Sequence, residues 1–190
     1  DLALFPEKVK EFANHCTDFM LGIAERQIEL AHPQGMFIWG DVAYDKGMFI
    51  SPSLWREIFF PCVKRLCDYI HSQGVITVYH GCGKSLAIFE DLIETGVDVY
   101  NPLEAKAGMD PVELKQKYGD RIAFYGGLDT RLLGEGNWED IEKEVLYKLN
   151  AAKGGGYLPA SDHSVAGNVN PRWYDRMINL LKQKGTYPIK

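Results

Sequence analysis

Long apolar runs are missing from this chain: nothing in its 190 residues approaches the roughly 18 consecutive apolar positions of a membrane span. The first residues show no secretory pattern either, so no membrane partner is expected. Basic residues are outnumbered, 21 Lys and Arg against 26 Asp and Glu, and they gather into no stripe. A formal net charge of -5 without a basic face excludes nucleic acid as the main partner. Cysteine is sparse, at Cys16, Cys62, Cys67 and Cys82, with no disulfide-framework spacing. Three of the four fall in helical patterns, which points to a reducing, cytoplasmic compartment. There is no linker and no low-complexity stretch, so residues 1–190 read as one domain. The chain opens at Asp1 without methionine, directly at a helix entry, which reads as a fragment or a processed product.

What is present is ordinary for a single core: 46% hydrophobic and 25% charged residues. A long amphipathic helix is expected from Pro6 to about Leu30, with Val9, Phe12, Cys16, Phe19, Ile23 and Ile28 as its apolar stripe. Strand and helix then alternate. Short apolar strands are predicted at Met36–Trp39, Val75–Tyr79, Val97–Tyr100, Ile122–Tyr125 and Gly156–Leu158. Between them come a helix capped by Ser51 with Pro52 in first position, running to Gly74 with a kink at Pro61, and a helix over Ser85–Thr95. A capping box at Asp110-Pro111-Val112-Glu113 opens a short helix, and two more are expected from Trp138 to Ala151 and from Asn170-Pro171 to Gly185. Strands separated by helices predict a parallel sheet with both faces covered. Five such units are about the C-terminal five-eighths of a TIM (β/α)8 barrel, which needs eight.

His80-Gly81-Cys82 stands where the second strand ends, with glycines at 81 and 83 to break the strand alternation. Imidazole nitrogen and thiolate sulfur together suit Zn²⁺. A capped histidine beside a buried thiol would give the same pattern. Position favours the metal, because strand-to-helix junctions carry the chemistry of α/β barrels. Asp41 and Tyr44 follow the first strand; Asp41 reads either as a turn-capping residue or as a group in the barrel mouth. Asp129 follows Gly126-Gly127, with Arg131 as a natural ion-pair partner, and Asn101 and Glu104 follow the third strand. The Gly126-Gly127 and Gly154-Gly155-Gly156 runs lack a P-loop pattern and read as tight turns.

Several runs resemble the uroporphyrinogen decarboxylase superfamily: Gly40-Asp41-Val42-Ala43-Tyr44, Gly47-Met48-Phe49-Ile50-Ser51-Pro52, Phe60-Pro61, Lys64-Arg65, Tyr125-Gly126-Gly127-Leu128-Asp129 and Ser161-Asp162-His163-Ser164-Val165. The resemblance covers nearly the whole chain as the C-terminal part of a family member, and it implies a barrel with its cleft at the strand C-termini. The superfamily includes the decarboxylases and zinc-dependent methyltransferases that move a methyl group between a corrinoid and a thiol or pterin. His80 and Cys82 resemble the His-x-Cys zinc ligands of the methyltransferase branch, whose third ligand follows the last strand. Here that place is Asp162-His163, so the resemblance implies His163, or else Asp162, as the third ligand.

On that basis the expected reaction is zinc-dependent methyl transfer, with a corrinoid protein as donor partner and a small thiol or pterin as acceptor. Asp41, Asp162 and His163 are the expected catalytic residues, and Asp41, Tyr44 and Asp129 the expected substrate contacts. The alternatives are a metal-free porphyrinogen decarboxylase and a non-catalytic half-barrel that acts by association. A decarboxylase needs a cluster of cations for its acidic substrate, whereas the strand exits offer only Lys84 and Arg131. Five strands of eight also predict association, with the missing N-terminal barrel segment or with a second copy of the chain.

Overall fold

The computed structural model describes residue 2 and residues 4–189. Five parallel strands form the sheet: β1 (Gly35–Trp39), β4 (Ile76–His80), β5 (Val99–Asn101), β6 (Ala123–Leu128) and β7 (Tyr157–Ser161), neighbours in that order. Two further strands, β2 (Ala43–Tyr44) and β3 (Gly47–Met48), make a small antiparallel hairpin just after β1. The helices are α1 (Pro6–Ala31), α2 (Pro52–Ile58), α3 (Phe60–Ser72), α4 (Phe89–Glu94), α5 (Pro111–Tyr118), α6 (Thr130–Glu135), α7 (Trp138–Lys148) and α8 (Pro171–Lys184). Sequential parallel strands joined by helices are part of a (β/α) barrel, as the spacing of apolar runs predicted.

Local chemistry sets the helix starts. Ser51 Oγ accepts from Leu54 N at 3.2 Å, and Asp110 accepts from Val112 N at 2.8 Å and Glu113 N at 3.3 Å. Asn137 and Asn170 cap α7 and α8 in the same way. The single kinked helix expected over residues 52–73 is instead two helices parted at Phe59. Pro61 has no N–H to give to the preceding turn, but the missing donor costs nothing in the first turn of a new helix. The helix expected over Ser85–Thr95 likewise begins as a tight turn at Leu86–Ile88 before α4.

Burial along β1 and β4 shows which face the helices cover. Ile38, Thr77, Tyr79, Tyr100 and Phe124 are buried beneath the helices, in a core completed by Trp55, Phe89, Leu92 and Tyr157. A second cluster joins Leu128, Leu133, Ile141, Val145, Met177 and Leu180 under α6–α8. On the other face Phe37, Trp39, Ile76 and Leu158 are exposed. Both faces were expected to be covered; helices cover only one, because the second face is the barrel interior. The α1 stripe also departs from expectation. Among the described residues, nothing covers Phe12 and Phe19, and the buried positions of α1 are Thr17 and Ala24.

Candidate metal centre

Parallel register places the site. Trp39 on β1 pairs with His80 on β4, and His80 pairs with Asn101 on β5, so the ends of these three strands share one rim. Beyond the register pair, the chain after β1 carries Asp41 and the chain after β4 carries Cys82. Asp41 Oδ1 accepts a hydrogen bond from Cys82 N at 2.8 Å, which locks the two exits together.

The turn between His80 and Ser85 is held at nearly every step. Gly81 N donates to Asn101 O at 2.9 Å, and the Tyr100 hydroxyl donates to Gly81 O at 2.6 Å. Gly83 N donates to Glu104 Oε2 at 2.7 Å, and Lys84 N donates to Tyr44 O at 2.8 Å. Gly83 has φ +79°, and a Cβ there would fall 2.5 Å from the Ala43 backbone. Only glycine fits that position.

Three donor atoms converge. His80 Nε2 lies 3.5 Å from Cys82 Sγ and 3.8 Å from Asp41 Oδ1, and one ligand atom from each of the three residues falls within 4.8 Å of the others. His80 is half-buried against the Trp39 ring, with centroids 4.1 Å apart, whereas the Asp41 side chain is 55% exposed. Burial pushes the Cys82 thiol up to about 11, helped by the negative charges of Asp41 and Glu104 and a hydrogen bond to Asp41, against the opposing charge of Lys106. Without a cation the thiol is therefore protonated at neutral pH; a divalent ion would offset the negative charge that keeps it so.

The donor set is one imidazole nitrogen, one sulfur and one carboxylate oxygen. All three bind zinc, and three protein ligands leave the fourth tetrahedral position open, which is the arrangement of a catalytic site. The residues fit the ion. His163 lines the same cleft of about 410 Å³ as His80, Cys82 and Asn101, but lies outside the three-residue cluster.

Asp162 faces elsewhere. It is 3% exposed, and its oxygens accept from Ala105 N at 2.9 Å, Thr130 N at 3.0 Å and Thr130 Oγ1 at 2.9 Å. It clasps the loops after β5 and β6, and the third donor that converges with His80 and Cys82 is that of Asp41. Tyr44, expected against substrate, stacks on Phe49 in the hairpin with centroids 5.4 Å apart and is not part of the cleft wall. Asp129 also lies off the wall. It caps α6 and holds Arg131 in a two-pronged pair, with Arg131 Nη2 2.6 Å from Asp129 Oδ2. Burial works to raise the Asp129 pKa, but the hydrogen bonds from the Arg131 side chain and backbone prevail and hold it below the usual carboxylate range. Glu104 braces Gly83 and pairs with Lys106 at 2.9 Å.

The sequence reading missed the aromatic wall of the cleft, made by Phe37, Trp39 and Tyr125. The signal was available, since Phe37 and Trp39 alternate along β1 and must share a face.

Comparison with known proteins adds three findings. The family model described as "Uroporphyrinogen decarboxylase (URO-D)" matches residues 2–184. A solved structure described as a methyltransferase from Methanosarcina mazei superposes with a TM-score of 0.69 at 20% identity, over 88% of this chain and 47% of that one. The chain thus spans about half the length of that structure, and the likeness bears on the fold. No curated protein matched the chain.

Proposed function

This chain belongs to the uroporphyrinogen decarboxylase family, and from that premise we propose that it carries the metal-binding side of a zinc-dependent methyltransferase. The observation behind the reading is the convergence of Asp41, His80 and Cys82 with one coordination position left over. Zinc bound there supplies positive charge that lowers the pKa of an acceptor thiol, so that a thiolate exists at neutral pH to receive a methyl group. We take the donor to be a methyl-corrinoid on a partner protein and the acceptor to be a small thiol or pterin. The residues of this chain do the holding. His80 offers a neutral nitrogen, Cys82 the softest donor and Asp41 the exposed carboxylate, while Asp41 and Glu104 also fix the turn that carries the sulfur. His163 lines the cleft, and we assign it contact with the acceptor or receipt of its proton.

A porphyrinogen decarboxylase would recognise several substrate carboxylates. Among the described residues no Lys or Arg lines this cleft, and the nearby cations Lys106 and Arg131 are already paired with Glu104 and Asp129. The four cysteines are unpaired, in keeping with the reducing, cytoplasmic setting we propose; no described helix is long and apolar enough to cross a membrane. The test is zinc content after loading and exhaustive buffer exchange, followed by methyl transfer from methylcobalamin to a thiol. The expected result is one retained ion per chain and zinc-dependent turnover. A chain that keeps no zinc overturns the reading.

A further inference from the structure

We propose that Asn101 is a positioning residue that sets the tautomer and aim of His80, leaving Nε2 bare toward Cys82 and Asp41. The functional meaning of this assignment rests on the zinc reading; its geometry stands by itself. Asn101 ends β5 and is 8% exposed. Its Nδ2 donates to the Tyr125 carbonyl at 3.1 Å, which turns Oδ1 toward the His80 ring, 2.6 Å from Nδ1. An amide oxygen only accepts, so the proton of the neutral imidazole must sit on Nδ1 and the lone pair on Nε2. Flipping the amide would set its oxygen against the Tyr125 carbonyl, acceptor facing acceptor.

The ring has little freedom to escape this arrangement. The Trp39 ring packs against it, tilted by 40° with centroids 4.1 Å apart, and the Asn101 carbonyl also takes the Gly81 N–H, so one residue holds both the imidazole and the turn leading to Cys82. The result is a cross-strand row in which Trp39, His80, Asn101 and the Tyr125 carbonyl each fix the next. Removing the amide would leave Nδ1–H without its partner and permit the other tautomer, whose protonated Nε2 cannot bind a metal.

Two measurements on the purified chain, in the assembly it forms, test this. The first is the ¹⁵N signature of the His80 ring in metal-free protein, assigned by comparison with His80→Gln, at a pH well above the ordinary imidazole value of about 6.5. Wild type and Asn101→Asp should show the proton on Nδ1, and Asn101→Leu should show it moving to Nε2. The second is zinc affinity by competition with a chromophoric chelator. Asn101→Leu should bind about 10–100-fold more weakly, and Asn101→Asp, which restores an acceptor, should recover most of that loss. Wild-type protein with the proton on Nε2 overturns the assignment, as does an Asn101→Leu protein unchanged in both measurements. If Asn101→Leu fails to fold, the wild-type and Asn101→Asp signatures decide alone. If wild type shows the stated tautomer yet takes up no zinc, the metal reading falls and the positioning role stands.

Discussion

Exchanging the Cys82 sulfur for oxygen keeps the size of the side chain and removes the softest donor of the proposed centre. Cys82→Ser should lower retained zinc by roughly tenfold or more while leaving thermal stability close to wild type. Asp162→Asn should do the reverse. One of its two oxygens becomes an amide in a buried clasp that now accepts three hydrogen bonds, so stability should fall by about 1–3 kcal/mol with zinc content unchanged. Metal analysis and thermal melts on the two variants read both outcomes, and loss of zinc in Asp162→Asn would return Asp162 to the site. The same pair shows what was legible at this scale. His80 and Cys82 could be found because two metal-binding side chains flank a glycine at a strand end. The third member could not be placed by spacing, because Asp41 precedes Cys82 by a whole hairpin and two helices. Only the parallel register of Trp39 with His80 reveals that the two chain exits run side by side.

Elements with strong apolar periodicity or a capping residue were legible in the sequence, while the shortest ones were not. The two-residue strands of the hairpin and the six-residue α6 carry too few positions to establish a period. The sequence also hid how the elements are tied at the end of the sheet away from the cleft. There Asp98 Oδ2 accepts from Thr77 N at 2.7 Å and Thr77 Oγ1 at 3.0 Å, and lies 2.7 Å from His71 Nε2, so one carboxylate links α3, β4 and the entry to β5. Partial burial works to raise the Asp98 pKa, but the hydrogen bonds from Thr77 and His71 outweigh it and hold the group below its ordinary value. A carboxylate depressed on folding adds stability above its unfolded value of about 3.9 and loses it as the pH falls through the folded value. Asp98→Asn should therefore be less stable than wild type at neutral pH, with the difference shrinking below about pH 4. Melting temperature followed from pH 7 to pH 2 checks this, and parallel curves for the two proteins would remove Asp98 from the account.

At the scale of the molecule, the outer edges of β1 and β7 have no strand partner among the described residues, and the interior face shows Phe37, Trp39, Ile76 and Leu158 to solvent. Unpaired edges beside an open apolar face favour association. Light scattering should report a particle heavier than the 21.5 kDa chain, formed with a complementary barrel segment or with a second copy. A monodisperse 21.5 kDa species that unfolds cooperatively would count against it. The number of β/α units was legible in the sequence because each strand is a separate apolar run; what covers the interior face was not, because apolar side chains such as Phe37 and Leu158 do not specify the surface they pack against. The placement of the three donors has a consequence of its own. Asp41, His80 and Cys82 all fall within one stretch of 42 residues on adjacent strands, at one margin of the sheet. On the zinc reading, the ion-holding groups therefore travel together as one contiguous segment of the chain.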